Sequence, residues 1–313
     1  MTPDALATLE QCLLDALAAP PAEARRLLHG RGRRWPGLEQ LTADWLEGVL
    51  LVALFREPAA DQLDALRDLL RRVAASPAWQ GSGAAHLLLQ LRYLPGSPTE
   101  FLFGEPLDGW RIREDGLYYQ LDLGRKQNSG LFLDMRYGRR WVRDNAAGKR
   151  VLNLFAYTCG FSVAALAGGA ERVVNLDMAG AALARGRDNH RLNDHDLGRV
   201  SFLAHELFKS WGRVRREGPY DLIIIDPPSF QKGSFALTRD YAKILRKLPE
   251  LLNAGGQVLA CVNDPAVGAD FLIRGMAEEA PALVFRERLV NPPEFADIDP
   301  EGGLKALVFM HAD

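Results

Sequence analysis

The chain has 313 residues, 48% hydrophobic and 25% charged, with a formal net charge of −2 and an isoelectric point near 6.3. That length favours two domains and a core that needs no disulfide staple, and the near-neutral charge excludes a global pull toward nucleic acid, so any such binding must use a local patch. Three widely spaced cysteines, Cys12, Cys159 and Cys261, exclude a disulfide framework or zinc site, and the six histidines show no metal-ligand spacing, so no metal is expected.

The N-terminus, MTPDALATLEQ, is acidic and amphipathic and does not read as a signal peptide. Thr2-Pro3-Asp4 reads as an N-cap, a proline at the first helical position and an acid in the first turn; Leu6, Leu9, Leu13 and Leu17 follow at helical spacing, and Pro20-Pro21 ends the run. A second short helix is expected to carry Arg25, Arg26, Leu27 and Leu28, before the basic, turn-rich stretch HGRGRRWPG. Residues 41–45 and 49–55 flank Glu47-Gly48 as a hairpin, 61–73 is helical, and strands are expected near 87–91 and 117–123. The apolar run 49–55 is too short to span a bilayer, and a cytoplasmic protein is expected. These elements suggest a helical segment over residues 1–35 and a small α/β domain over 36–123.

From residue 124 onward the pattern alternates. Strands are expected at 150–155, 172–177, 200–203, 221–225 and 257–262, separated by helices at 161–167, 179–192, 207–216, 236–252 and 269–279. Several strands are continuous apolar runs, as in a parallel sheet covered on both faces. Two final strands near 283–289 and 304–310, with no helix between them, fit an antiparallel closing pair. The expectation for 124–313 is a doubly wound α/β domain with a seven-stranded, mostly parallel sheet.

In such a sheet, ligands bind at the carboxyl ends of the strands. The first strand of this domain ends in Asn153-Leu154-Phe155-Ala156-Tyr157-Thr158-Cys159-Gly160. Gly160 would let backbone approach a ligand closely. The turn lacks G-x-G-x-x-G, so it suits a ligand without a pyrophosphate, and a nicotinamide oxidoreductase is disfavoured. Asp177 ends the second strand, where an acid can accept two hydrogen bonds from a ribose diol, although such an acid is as often a helix N-cap. After the third strand, Glu206 can accept from an adenine amino group or can be a solvated acid in a first helical turn. The sharpest signal is Asp226-Pro227-Pro228-Ser229-Phe230, directly after the apolar strand DLIII. Two prolines fix φ twice and stop both strand and helix. They would hold Asp226 toward the reactive centre and Phe230 where a flipped base could stack.

From about residue 27 to the C-terminus the chain resembles the bacterial large-subunit (23S) ribosomal RNA methyltransferases, the group that includes the 5-methylcytosine enzymes and the fused guanine methyltransferase. The segments that carry the resemblance are LLHGRGRRWPGLEQLTADW, NSGLFLDMR, RVLNLFAYTCGFSVAAL, AERVVNLDM, DNHRLN, DLIIIDPPSF and DPEGGLKAL, in family order. The resemblance implies a Rossmann-like class I methyltransferase that uses S-adenosylmethionine, lined by Phe155, Tyr157, Gly160, Asp177, Met178, Glu206 and Asp226, with Asn153 and Thr158 in the same turn motif. It implies an RNA-contacting role for residues 36–123. The family's N-terminal barrel of the PUA type is replaced by the leucine-rich helix near residues 4–18.

Cytosine C5 methylation needs a cysteine that attacks C6. Counting from Gly255-Gly256, that position falls on Asn263, and Cys261 reads as a core residue inside the strand. A guanine nitrogen needs no covalent nucleophile, only alignment and, for the exocyclic amine, an acceptor such as Asp226. Ser229 separates Pro228 from the aromatic, a departure from amino-methyltransferases that leaves ring N7 open. Three basic clusters could contact RNA: Arg25, Arg26, Arg31, Arg33 and Arg34 beside His29 and Trp35; Arg213, Arg215 and Arg216; and Lys243, Arg246 and Lys247. They could equally be solvated faces. The leading expectation is an enzyme that methylates a ribosomal RNA base, guanine favoured. The competing ones are a small-molecule or protein methyltransferase and a non-catalytic RNA-binding assembly factor. The oligomeric state is left open, a homodimer included.

Overall fold

The first helix, α1 (Pro3–Ala18), is fixed at its start by Thr2, whose Oγ1 accepts the Ala5 N–H at 3.2 Å. It buries Ala5, Leu9, Leu13 and Leu17 as one stripe. The structure is a computed structural model that describes residues 1–107, 109–124, 127–231 and 235–311. Two compact units divide the chain: Met1–Leu133 with Pro292–Pro300, and Asp134–Asn291 with Glu301–Asp313.

In the first unit, α1 is followed by β1 (Arg25–His29), β2 (Leu41–Trp45), β3 (Val49–Leu54), α2 (Ala60–Ala74), α3 (Pro77–Ser82), β4 (His86–Leu91) and β5 (Thr99–Phe103). The strands form one sheet in chain order. Its pairs are antiparallel except β3 with β4, which are parallel and joined through α2 and α3. Leu9 and Leu13 of α1, Leu66 and Leu70 of α2, and Leu50 and Leu87 of the sheet share one core. A separate hairpin, β6 (Trp110–Glu114) with β7 (Leu117–Leu121), completes the unit's strands.

Three expectations change here. Residues 25–28 form a strand, not a helix: five residues are too few to nucleate a helix, and β2 offers them a paired edge with Arg25 opposite Trp45 and His29 opposite Thr42. The units divide differently from 1–35, 36–123 and 124–313, because α1 and β1 belong to the same core as the sheet. Finally, residues 292–300 return to this unit. Phe295 packs at 5.2 Å from His29 and under the Arg26 guanidinium at 4.6 Å, and Asp297 pairs with Arg33 at 3.0 Å.

The second unit runs through α4 (Arg136–Asn145), β8 (Arg150–Leu154), α5 (Gly160–Ala167), β9 (Arg172–Asp177), α6 (Gly180–Leu192), β10 (Val200–Ala204), α7 (Trp211–Glu217) and β11 (Tyr220–Ile225). A two-residue ribbon follows, β12 (Phe230–Gln231) with β13 (Phe235–Ala236), and then α8 (Leu237–Leu245), α9 (Leu248–Leu251), β14 (Leu252–Val262), α10 (Asp270–Glu279), β15 (Leu283–Leu289) and β16 (Lys305–His311). The seven-stranded sheet has the order β10-β9-β8-β11-β14-β16-β15. It is parallel up to β14, with β16 antiparallel to both of its neighbours. This is the Rossmann-like sheet expected from the apolar runs. Leu222, Ile223, Ile224 and Ile225 of the central β11 are all fully buried, contributing about 1.5–3 kcal/mol each. The single helix expected at 236–252 is instead α8 and α9, because Pro249 opens a new short helix and β14 already begins at Leu252.

Candidate active site

The chain leaves β8 through a turn that carries strain. Phe155, Tyr157 and Cys159 have φ of 57°, 47° and 62°, the left-handed region, which costs an L-residue roughly 1–2 kcal/mol each. Gly160, expected to allow close approach, is the first residue of α5, and the left-handed conformations fall on its non-glycine neighbours. Asp177 at the end of β9 holds this turn: its Oδ2 accepts the Tyr157 N–H at 2.8 Å and its Oδ1 accepts the Ala179 N–H at 2.7 Å. The Ala156 N–H donates to Leu176 O at 3.1 Å, and Asn189 Nδ2 to Thr158 O at 2.9 Å. On α6, Gly186 leaves the space that Cys159 fills, since a Cβ there would overlap the cysteine sulfur. Burial raises the Asp177 pKa above the usual carboxylate value, and the two backbone N–H groups oppose that shift.

Beside this turn lies a cleft of about 290 Å³, open to solvent. Its apolar walls include Phe155, Leu176, Leu207, Phe208 and Phe235, and Asp177, Met178 and Glu206 stand along it. The Phe155 and Phe235 rings meet edge to face at 5.0 Å, and Phe208 lies parallel to Phe235 at 6.4 Å. Glu206 performs the capping role weighed for it: Oε1 accepts the Phe208 N–H at 3.0 Å, and Oε2 pairs with Lys209 at 3.1 Å. Each carboxylate oxygen has a second lone pair, so neither Asp177 nor Glu206 is exhausted by these bonds.

Asp226 follows β11. The Tyr241 hydroxyl of α8, fully buried, lies 3.3 Å from Ile225 O and 3.2 Å from Cys261 O, and can donate to either. It ties the ends of β11 and β14 together just before the two prolines. Pro227 is buried while Pro228 and Ser229 are exposed, and Ser229 O accepts the Leu237 N–H at 3.1 Å. The stacking role expected of Phe230 falls on a side chain outside the described residues; its backbone pairs with Ala236. The Asp226 carboxyl is pushed up to about 7, first by burial and then by the Asp134 carboxylate, against the opposing Arg139 guanidinium. Asp134 Oδ2 in turn accepts Asn263 Nδ2 at 3.3 Å.

The structure therefore gathers Phe155, Asp177, Met178 and Glu206 at the cleft. Tyr157 contributes its backbone N–H to Asp177, and Asp226 lies in a second group with Asp134 and Asn263. Asn153 and Thr158 are turned inward. Asn153 is buried and donates to Asn175 Oδ1 at 2.9 Å; Asn175 continues to Ser162 Oγ at 2.9 Å, Ser162 to His190 Nε2 at 2.9 Å, and His190 to His195 at 3.0 Å. Sequence reasoning passed over Asp134, Arg139, Phe208, Phe235 and Tyr241. The segment NSGLFLDMR holds Asp134 but assigned it no role. Cys261 is fully buried within β14, its thiol raised by burial and by the nearby Asp226 and Asp134.

Many of the basic residues singled out are ion-paired: Arg25 with Glu294, Arg26 with Asp44, Arg33 with Asp297, Arg215 and Lys247 with Glu250, Lys243 with Asp240, and Arg246 with Glu279. Among the described residues no cluster of three or more His, Cys, Asp or Glu could hold a metal ion, and no helix is long and apolar enough to cross a membrane.

The profile of the S-adenosylmethionine-dependent methyltransferases matches residues 25–310. The chain belongs to that family. YwbD of Bacillus subtilis, assigned provisionally as a ribosomal RNA large subunit methyltransferase, is 28% identical to this methyltransferase over 310 residues, covering 93% of this chain and 75% of YwbD. Ribosomal RNA large subunit methyltransferase I of Serratia proteamaculans is 31% identical over 260 residues, 82% of this chain and 64% of that one. Of two further relatives of that name, from Aeromonas salmonicida and Erwinia tasmaniensis, the methyltransferase spans only 42% and 44%. A crystal structure of a provisionally assigned methyltransferase complexed with SAH superposes with a TM-score of 0.84 at 25% identity, over 97% of this chain and 80% of the other.

Proposed function

We propose that this methyltransferase modifies a guanine nitrogen in large-subunit ribosomal RNA in the cytoplasm, with its cofactor held in the cleft beside Asp177. The names of its relatives support RNA as the substrate. The observation that carries guanine over cytosine is the chemistry at the end of β14: Cys261 is sealed in the core, and the exposed position after the strand is Asn263. A covalent attack on cytosine C6 has no thiol to begin it there.

The residues present fit the cofactor. The aromatic walls of the cleft suit an adenine ring, and Asp177, anchored by two N–H groups, keeps lone pairs for a ribose diol. Glu206 is placed to accept from an adenine amino group. S-adenosylmethionine, when bound, supplies an activated methyl group on a sulfonium. The chain's own work is then alignment and proton handling. Asp226, with its pKa near 7, can take the proton that an exocyclic amine loses on methylation; ring N7 loses none, and there Asp226 only orients the base. Residues 36–123 are assigned RNA contact in this reading. The many ion-paired arginines and lysines favour a second reading, a small-molecule or protein acceptor.

The test is transfer of a radiolabelled methyl group from S-adenosylmethionine to ribosomal RNA from a strain lacking this protein, followed by nucleoside analysis. Label in a methylguanosine is the expected result and chooses between N7 and the amine. Label in 5-methylcytidine refutes the guanine reading. No label, with cofactor binding intact, refutes the RNA reading for mature RNA.

A further inference from the structure

In the first unit β1, β3 and β4 run in the same direction, so the residues that follow them emerge at one edge of the sheet. That edge carries Arg31, Arg33 and Arg34 after β1, Phe55 and Arg56 after β3, and Arg92 after β4. Arg33 is neutralised by Asp297 and Asp299, at 3.0 and 3.8 Å. Arg31 and Arg92 are arranged otherwise. Both guanidiniums sit against the Phe55 ring, at 4.5 and 5.1 Å from its centroid. Two cations on one ring lie no farther apart than about one Debye length, so each feels the other. Arg92 is partly buried and is oriented by neutral oxygens, Nη1 to Gln127 O at 2.6 Å and Nη2 to Asn128 Oδ1 at 3.4 Å, while its Nε is buried without a partner. Burial and the Arg31 charge together lower the Arg92 pKa, the signature of a cation held where it costs free energy. An anion bridging the pair would relieve that cost.

We propose that Arg31 and Arg92, mounted on Phe55, form a phosphate-binding clamp for the backbone of an RNA substrate. This rests on the RNA reading above. The ring fixes the planes of both guanidiniums, and a fixed fork grips a phosphate with little further loss of side-chain freedom. Arg34 and Arg56, both exposed, extend the positive edge along which a strand could run. The clamp would position RNA without reading its bases.

The experiment is fluorescence anisotropy of the full-length protein with a labelled single-stranded oligoribonucleotide across a salt series, for wild type, Arg31→Gln and a control, Arg71→Gln. Arg71 lies on α2, exposed and paired with Asp68. Arg31 is itself exposed, so its substitution spares the core. The expected result is a loss of about threefold to tenfold in affinity for Arg31→Gln, with the slope of log K against log salt reduced by about 0.7, the value of one phosphate contact on a single strand. The control is expected to match wild type. Equal losses in both variants would mean a general charge effect and overturn the clamp, as would no loss in Arg31→Gln. A wild-type protein that binds cofactor by calorimetry but no RNA would overturn the RNA reading, and the clamp with it.

Discussion

Replacing Asp177 by Asn separates a cofactor ligand from a loop tie. The carboxylate now accepts one N–H on each oxygen, from Tyr157 and from Ala179. Asparagine has one acceptor oxygen, so one of those donors faces an NH₂ group. A lost hydrogen bond to a charged group costs about 1.5–3 kcal/mol. Against this, the raised pKa of Asp177 means that burying its charge already costs stability, a cost the neutral amide does not bear. The net expectation is a loss of roughly 1–2 kcal/mol in folding stability, below either gross figure. For the cofactor there is no such offset. If the carboxylate accepts from a ribose diol, the same 1.5–3 kcal/mol appears as a Kd about 10- to 100-fold weaker. Calorimetric titration with S-adenosylhomocysteine, alongside a denaturant melt, measures both. A lowered melt with a Kd unchanged within twofold would refute the argument and leave Asp177 as a helix cap that steadies a strained turn.

Cys261→Ala should leave methyl transfer intact while costing on the order of 1 kcal/mol in stability for the small cavity; abolished transfer in a folded variant would restore a covalent cytosine mechanism. The Asp226 pKa of about 7 predicts single-turnover transfer to an amine that rises with pH through neutrality and levels above it, with Asp226→Asn slow and flat across the same range; a flat wild-type profile would remove Asp226 as the proton acceptor. His190 is fully buried and its pKa is lowered to about 3, first by burial and then by His195. The unfolded chain takes up this proton near pH 6.5 and the folded chain does not. Stability from this site is therefore full above about 6.5 and lost progressively as pH falls toward 3. Denaturant melts of wild type and His190→Gln should differ in slope across that window, and parallel curves would dismiss the site.

Most of the second unit was legible because its physics is local. Five parallel strands buried on both faces must be apolar runs, and β11 is Tyr-Asp-Leu-Ile-Ile-Ile for that reason. Asp177 and Asp226 were legible because strand ends in such a sheet are where ligands sit. The strained turn was not, since Phe155, Tyr157 and Cys159 are ordinary side chains in a conformation usually signalled by glycine. Nor was Arg25–His29: its charges and leucines suit a helix or a strand equally, and only the partner β2 decides. Asp134 and Asn263 are distant in sequence and meet only through the winding of the sheet. Asn153 looked like a site residue because of its neighbours, yet its place within β8 points it into the buried polar chain.

The detour of residues 292–300 sets an order of events during synthesis. The first unit begins the chain, but the Phe295 that packs between His29 and Arg26 is made almost last. A domain that leads the chain can ordinarily finish folding while the rest is still being translated. Here the nascent N-terminal sheet must wait, with the floor beneath His29 missing, until nearly the whole second unit has left the ribosome. Expression of 1–133 alone would deliver that waiting state rather than a finished domain.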